Sequence, residues 1–139
     1  MSSEKNILGF DFGMKSIGVA VGHQLTNTAR GIAALSARDG IPDWDIIAKL
    51  MTEWQPGLIV VGLPLNMDGT EQLMTAAARK FGNRINNRFN IPVVWQDERL
   101  TTFEALDQMG IRSKLQTDKR SDVDKLSAQI ILQSWLDQQ

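Results

Sequence analysis

Cysteine is absent from the 139 residues, and histidine occurs only once, at His23. Without cysteine the chain has neither a disulfide framework nor a thiolate metal site, and it suits a reducing compartment. His23 stands at a strand end with no partner visible in the sequence and reads as structural. No apolar run approaches the length of a membrane span, and the opening MSSEKN lacks the apolar core of a secretory leader. The expectation is a cytoplasmic protein that engages no membrane. Internal repeats and low-complexity segments are missing too. The net charge is −1, so no global field draws the chain to nucleic acid.

The distribution of charge says more than its sum. Residues 79–120 carry nine Lys/Arg against five Asp/Glu, a balance of +4, whereas residues 1–78 carry five against eight, a balance of −3. A locally basic surface on a neutral protein can track a phosphate backbone, or be an ordinary solvated face. With 42% hydrophobic and 22% charged residues, the composition is that of a globular chain. Its length suits one domain, residues 1–139, with a substantial core.

The densest signal is ILGFDFGMKSIGVAVG, from Ile7 to Gly22. Asp11 lies between Phe10 and Phe12 at the end of an apolar strand, where a carboxylate is costly to desolvate unless something compensates it. Gly13 and Gly18 allow backbone or a phosphate to approach closely. The pattern points to a metal or phosphate site, the alternative being an Asp that caps a turn.

Strands are expected at 6–12 and 16–22, joined as a hairpin through Gly13-Met14-Lys15, and at 29–36. Trp44, Ile47, Leu50, Met51 and Trp54 have a helical period over 43–54, with Asp43 as N-cap and Pro56-Gly57 as the stop. The continuous apolar run 58–62 is a central strand buried on both faces. An amphipathic helix follows at 71–89, its stripe made by Met74, Ala78, Phe81, Ile85 and Phe89. Residues 91–96 form another buried strand. Thr101 and Glu104 are spaced as a capping box at the start of a helix, 110–121 lacks any period, and 121–136 is the last helix. This order implies an α/β domain with a five-stranded mixed sheet: three antiparallel strands, then two parallel to the first.

In such sheets, sites form at the carboxyl ends of the parallel strands. Asp11 ends the first strand and Asp97-Glu98 the last. On the final helix Asp124 shares a face with Ala128, Ile131 and Trp135, whereas Asp122 points elsewhere and reads as a charge favoured by the helix dipole. Carboxylates converging from two strand ends and a helix would raise one another's pKa, which hard divalent cations relieve. Two such ions suit phosphoryl transfer, so the residues point to metal-dependent phosphodiester chemistry. Several further residues are candidates for substrate contact. Lys15 in the hairpin turn reaches either a phosphate or water. Asn66, in the Gly62–Gly69 loop, either positions a phosphate or sugar or shapes a turn. Arg99 pairs with Glu98 or contacts substrate. Lys80, Arg84 and Arg88 recur every four residues as one cationic stripe, read as backbone contacts or as a solvated face.

DFGMKSIGVAVG (11–22), GLPLNMDGTE (62–71), DERLTT (97–102) and VDKLSAQIIL (123–132) together resemble, in order and spacing, the YqgF or RuvX-like family of the ribonuclease H-like superfamily. That family comprises pre-16S ribosomal RNA nucleases and Holliday-junction-resolvase-like proteins, and the match spans nearly the whole chain. The resemblance implies a ribonuclease H-like fold. It also implies that Asp11, Glu98 and Asp124 are a catalytic triad holding two Mg²⁺ or Mn²⁺ ions. The substrate it implies is structured RNA, the 5′ end of precursor 16S rRNA, with pre-ribosomal particles as partners and a monomer or weak homodimer as the working form. Lys125-Leu126 departs from the small residues usual after the third acid, and Lys125 is expected to face solvent. Three alternatives stay open. They are a resolvase acting on branched DNA as a symmetric dimer, a non-catalytic RNA-binding assembly factor, and an actin-like ATPase, which needs two such domains.

Overall fold

The computed structural model describes residues 5–98 and 120–139. The expected helix at 101–106, its capping box and most of the aperiodic stretch 110–121 lie outside the described residues. The elements run β1 Ile7–Asp11, β2 Ser16–His23, β3 Thr28–Arg38, β4 Ile41–Pro42, α1 Trp44–Trp54, β5 Leu58–Leu63, α2 Leu73–Phe89, β6 Val93–Asp97 and α3 Arg120–Asp137. The strands form one sheet in the order β4-β3-β2-β1-β5-β6. β1 to β4 pair antiparallel, while β5 and β6 run parallel to β1.

The sheet therefore has six strands where five were expected. The extra one is two residues long, with Ala37 and Arg38 pairing with Pro42 and Ile41 across Asp39-Gly40. Both turn residues have positive φ, 52° and 78°, as a two-residue hairpin requires. A strand this short has too few residues to show an alternating pattern. Helix α1 starts where Asp43 accepts a hydrogen bond from the Asp45 amide (2.9 Å), and it turns back at Gln55, which is left-handed at φ 44°.

Strand parity sorts side chains between two layers. Leu8, Phe10 and Phe12 of β1 and its extension face one side, with Ile17, Val19 and Val21 of β2 and Ile59, Val61 and Leu63 of β5. Helices α1 and α2 cover that side through Ile47, Met51, Ala78, Phe81 and Ile85. Phe81 is central there: its ring lies 5.5 Å from Phe10, 5.2 Å from Phe12 and 6.1 Å from Trp44. The opposite side carries Ile7, Ala20 and Val60, covered by Ala128, Ile131, Leu132 and Leu136 of α3.

Glycines set how closely α3 lies on its side of the sheet. A Cβ on Gly18 would collide with the backbone carbonyl of Asp124, and one on Gly31 would come within 2.5 Å of the Lys125 carbonyl. Lys125 is partly buried by this seating instead of projecting freely into solvent. The helix also tends the outer edge of the sheet. Beyond the reach of β4, the amides of Ala29 and Gly31 donate to the side chains of Gln133 (3.1 Å) and Gln129 (3.0 Å). Among the described residues no helix is long and apolar enough to cross a membrane.

Gly18→Ala tests this seating, because the added methyl meets backbone that cannot rotate aside. Urea unfolding should show a loss of about 1–3 kcal/mol, as for an overpacked core. A change within experimental error would mean that α3 does not rest on β2.

Candidate active site

The same parity that builds the two layers decides which acids meet. Ile7, Gly9 and Asp11 alternate onto the α3 side, while Phe10 and Phe12 go to the other. In β6, Val94 packs on the α3 side, and Val93 and Trp95 on the opposite one. Glu98, two pairs of residues beyond Val94, therefore returns to the α3 side, and Asp97 does not. Glu98 extends the strand pairing, its amide donating to the Leu63 carbonyl at 3.3 Å. Its carboxylate Oε2 lies over Gly62, where a Cβ would strike it.

Asp124 enters from the first turns of α3. Ala128 and Ile131 on its face are buried, and Trp135 packs beside them, whereas Asp122 is exposed. With the α3 backbone pressed onto Gly18, the strand partner of Asp11, Asp124 is delivered to the end of β1. Both line an open cleft of about 460 Å³ with Phe12, Gly13, Lys15 and Met74. Glu98 stands beside this pair without lining the cleft, close enough for the Asp11 charge to act on it.

The electrostatics are those of buried carboxylates crowded together. Burial, and then the Asp124 carboxylate, push Asp11 up from 3.8 to about 7. Burial, then Asp11 and then Asp97, push Glu98 up from 4.5 to about 8. Glu98 Oε2 and Asp124 Oδ2 are buried without a hydrogen-bond partner. Such orphaned acceptors are costly unless a further group satisfies them. Among the described residues no three His, Cys, Asp or Glu side chains close into a preformed cage. The donor set is nonetheless all carboxylate oxygen, unpaired and mutually repelling, which suits a hard divalent cation.

The other sequence candidates disperse. Lys15 is exposed on the rim of the Asp11 cleft. Asn66 is exposed in the loop after β5 and is bound within it, its Nδ2 donating to Thr70 Oγ1 at 3.0 Å and its amide to the Thr70 carbonyl at 2.9 Å. Lys80 and Arg84 border a second pocket next to the cleft. Arg88, exposed, does not border that pocket, and its guanidinium lies 4.2 Å from the Trp44 ring centroid. Arg99 lies outside the described residues. Met74, read from sequence as part of the core stripe, is only partly buried and lines the cleft. Asp39 and Ile41 were not singled out, although Asp39-Gly40 is a hairpin signal that sequence alone carries.

Comparison with known proteins agrees on fold and family. Residues 5–138 match the family RuvX, described as Holliday junction resolvase. A protein of Glaesserella parasuis serovar 5 named "Putative pre-16S rRNA nuclease" is 55% identical over 97% of this chain and 98% of its own length. One of the same name from Aeromonas hydrophila is 54% identical over 99% and 98%. Among solved structures, Thermus thermophilus RuvC in complex with a Holliday junction substrate has a TM-score of 0.56 at 15% identity, over 96% of this chain and 94% of that one. The fowlpox virus Holliday junction resolvase gives 0.51 at 13%, over 96% and 98%. At these identities the structures speak for the fold, which is the RuvC-like, ribonuclease H-like one.

The raised carboxylates make stability fall with pH. Between about 4 and about 8 the folded chain holds protons on Asp11 and Glu98 that the unfolded chain has released. Their contribution is thus complete at the acid end of that window and lost as pH rises through it. Urea unfolding in chelator should show lower stability at pH 8 than at pH 5, with a smaller decline in Asp11→Asn. Equal declines in the two proteins would contradict the crowded-carboxylate description.

Proposed function

The chain belongs to the RuvX family, and on that premise we propose a nuclease that hydrolyses phosphodiester bonds in structured RNA, with Asp11, Glu98 and Asp124 as its catalytic acids. The substrate is precursor 16S rRNA, as the names of its relatives suggest, and the cut is placed at its 5′ end. The observation that carries the reading is the pair of buried, unpartnered carboxylate oxygens on Glu98 and Asp124 beside a proton-retaining Asp11. A structural ion pair would leave no such orphans. The reading treats residues 1–139 as one nuclease domain acting in the cytoplasm.

Asp11, Glu98 and Asp124 would hold Mg²⁺ or Mn²⁺, two ions in the full site. Such ions supply charge stabilisation for the attacking and leaving oxygens of the phosphate. Because Asp11 and Glu98 retain protons near neutrality without a cation, loading the site displaces protons from their carboxyl oxygens. Affinity for the cation therefore rises with pH across the same window in which the empty protein loses stability. Lys15, on the rim of the cleft, offers an ammonium to the non-bridging phosphate oxygens. Lys80 and Arg84 flank the approach and neutralise phosphates farther along the strand.

The test is cleavage of end-labelled precursor rRNA with Mg²⁺, with Mn²⁺ and with chelator, beside a labelled four-way DNA junction. RNA should be cut in either metal and not in chelator. Asp11→Asn, Glu98→Gln and Asp124→Asn should each lose at least about a hundredfold in rate, the scale of removing a preorganised electrostatic group. Asp122→Asn should be silent. Cutting of the junction alone would transfer the reading to branched DNA, and full activity in chelator would remove the cation. Separately, replacing Lys80 and Arg84 by Gln should flatten the dependence of log affinity on log salt by about one to two units, since each phosphate contact contributes about one. An unchanged slope would return both residues to the solvated face.

A further inference from the structure

Next to the Asp11 cleft is a smaller pocket of about 190 Å³, and the two share Phe12 and Met14 as a common wall. We propose that this second pocket seats one unpaired nucleotide of the RNA strand, with its base between Met14 and Ile41 and its phosphate on Lys80 and Arg84. In this arrangement the Asp39 carboxylate reads the base edge. The proposal rests on the nuclease reading and deepens it, by stating what the strand must look like one step from the reacting phosphate.

Three features of the pocket converge on that ligand. Its floor is aromatic: Phe12 and Phe81 pack at 5.2 Å between ring centroids. Its sides are apolar yet open to water, with Met14 41% and Ile41 50% exposed. One wall is cationic, because Lys80 and Arg84 are one helical turn apart on α2 and both border the pocket. Asp39 lines the pocket as well. A ligand with a flat apolar body, an anionic group and hydrogen-bond donors on its edge satisfies these features and Asp39 together.

The β3–β4 hairpin is what brings Asp39 there. Asp39 and Gly40 both adopt left-handed backbone, and the Gly40 amide donates to the Met14 carbonyl at 2.9 Å. This bond ties the hairpin tip to the β1–β2 turn, so Asp39, Gly40 and Ile41 border the second pocket together with Met14. A Cβ at Gly40 would come within 2.9 Å of the Phe12 ring and 3.2 Å of the Met14 sulfur, which shows how tightly the tip closes on both.

A base in a duplex cannot enter a pocket with its pairing edge free, so the nucleotide must be unpaired. A carboxylate only accepts hydrogen bonds. Guanine presents two adjacent donors, N1–H and the N2 amino group, and is the base that Asp39 should favour. Uracil offers only N3–H, flanked by two acceptors that would face the carboxylate.

The experiment is equilibrium binding of labelled single-stranded RNA hexamers in chelator, where cleavage cannot intervene. One position of a uridine hexamer is made guanosine or abasic, and that position is walked along the strand. In the wild-type protein one position should show guanosine binding at least about fivefold tighter than abasic, the lower end for one stacked base. Ala77→Phe fills the pocket from α2 and keeps both cations. It should erase the difference while retaining the salt dependence. Asp39→Asn keeps a residue that tolerates left-handed backbone. It should erase the preference for guanosine over uridine and leave the loss at the abasic site. Thermal melts confirm folding, and Asp39→Asn carries the test if Ala77→Phe is unstable. No favoured position in the wild type, or the same preference in both variants, would overturn the proposal. Cleavage of precursor rRNA without base dependence overturns the pocket alone. Base dependence without cleavage overturns the nuclease reading alone.

Discussion

Helix α3 can reach the end of β1 only because the sheet beneath it presents no side chains at Gly18 and Gly31. Two backbones that close bring Asp124 to the end of β1 beside Asp11, and among the described residues neither carboxylate forms an ion pair. The consequence is electrostatic: burial and mutual repulsion hold Asp11 near 7 and Glu98 near 8, far from ordinary carboxylates. A fold under selection for stability alone would separate such groups or pair them. Here the packing of an entire helix enforces their approach, so the cost falls on the protein itself, and a bound cation would relieve it.

That arrangement also divides the molecule by role. The layer of α1 and α2 holds the larger core, built around Phe10, Phe81 and Ile47, and it carries stability. The α3 layer is thinner and glycine-floored, and it carries the acids. The two meet at the carboxyl edge of the sheet, where Phe12 belongs to the core yet also walls both the acidic cleft and the pocket beside it. Among the described residues, positive charge stands at the rim of the cleft on Lys15 and beside the neighbouring pocket on Lys80 and Arg84. This suits a polyanion better than a small neutral substrate.

Much of this was legible in the sequence, because strand and helix periods are strong local signals. The alternation Ile7-Gly9-Asp11 and the i+4, i+7 relation of Asp124 to Ala128 and Ile131 each place an acid on a defined face. The length of β5 and the cap at Asp43 were equally plain. Less legible was anything that depends on distance between elements. Nothing local distinguishes Arg88, folded over Trp44, from Lys80 and Arg84, which border a pocket. Nor does spacing alone say that Asn66 spends its side chain on Thr70. The two-residue β4 escaped because pairing across Asp39-Gly40, not periodicity, defines it. Met74 fits a core stripe by spacing, yet it sits where α2 reaches the end of the sheet and the stripe meets the cleft.

The central claim is that Asp11, Glu98 and Asp124 together form one divalent-cation site. Paramagnetic broadening of the side-chain carboxyl ¹³C resonances during Mn²⁺ titration tests it without relying on any substrate. The three resonances should broaden together and saturably, at cation concentrations that leave Asp43, Asp45 and Asp122 sharp. Broadening of Asp11 and Asp124 with Glu98 untouched, or uniform broadening of all exposed carboxylates, would contradict the account.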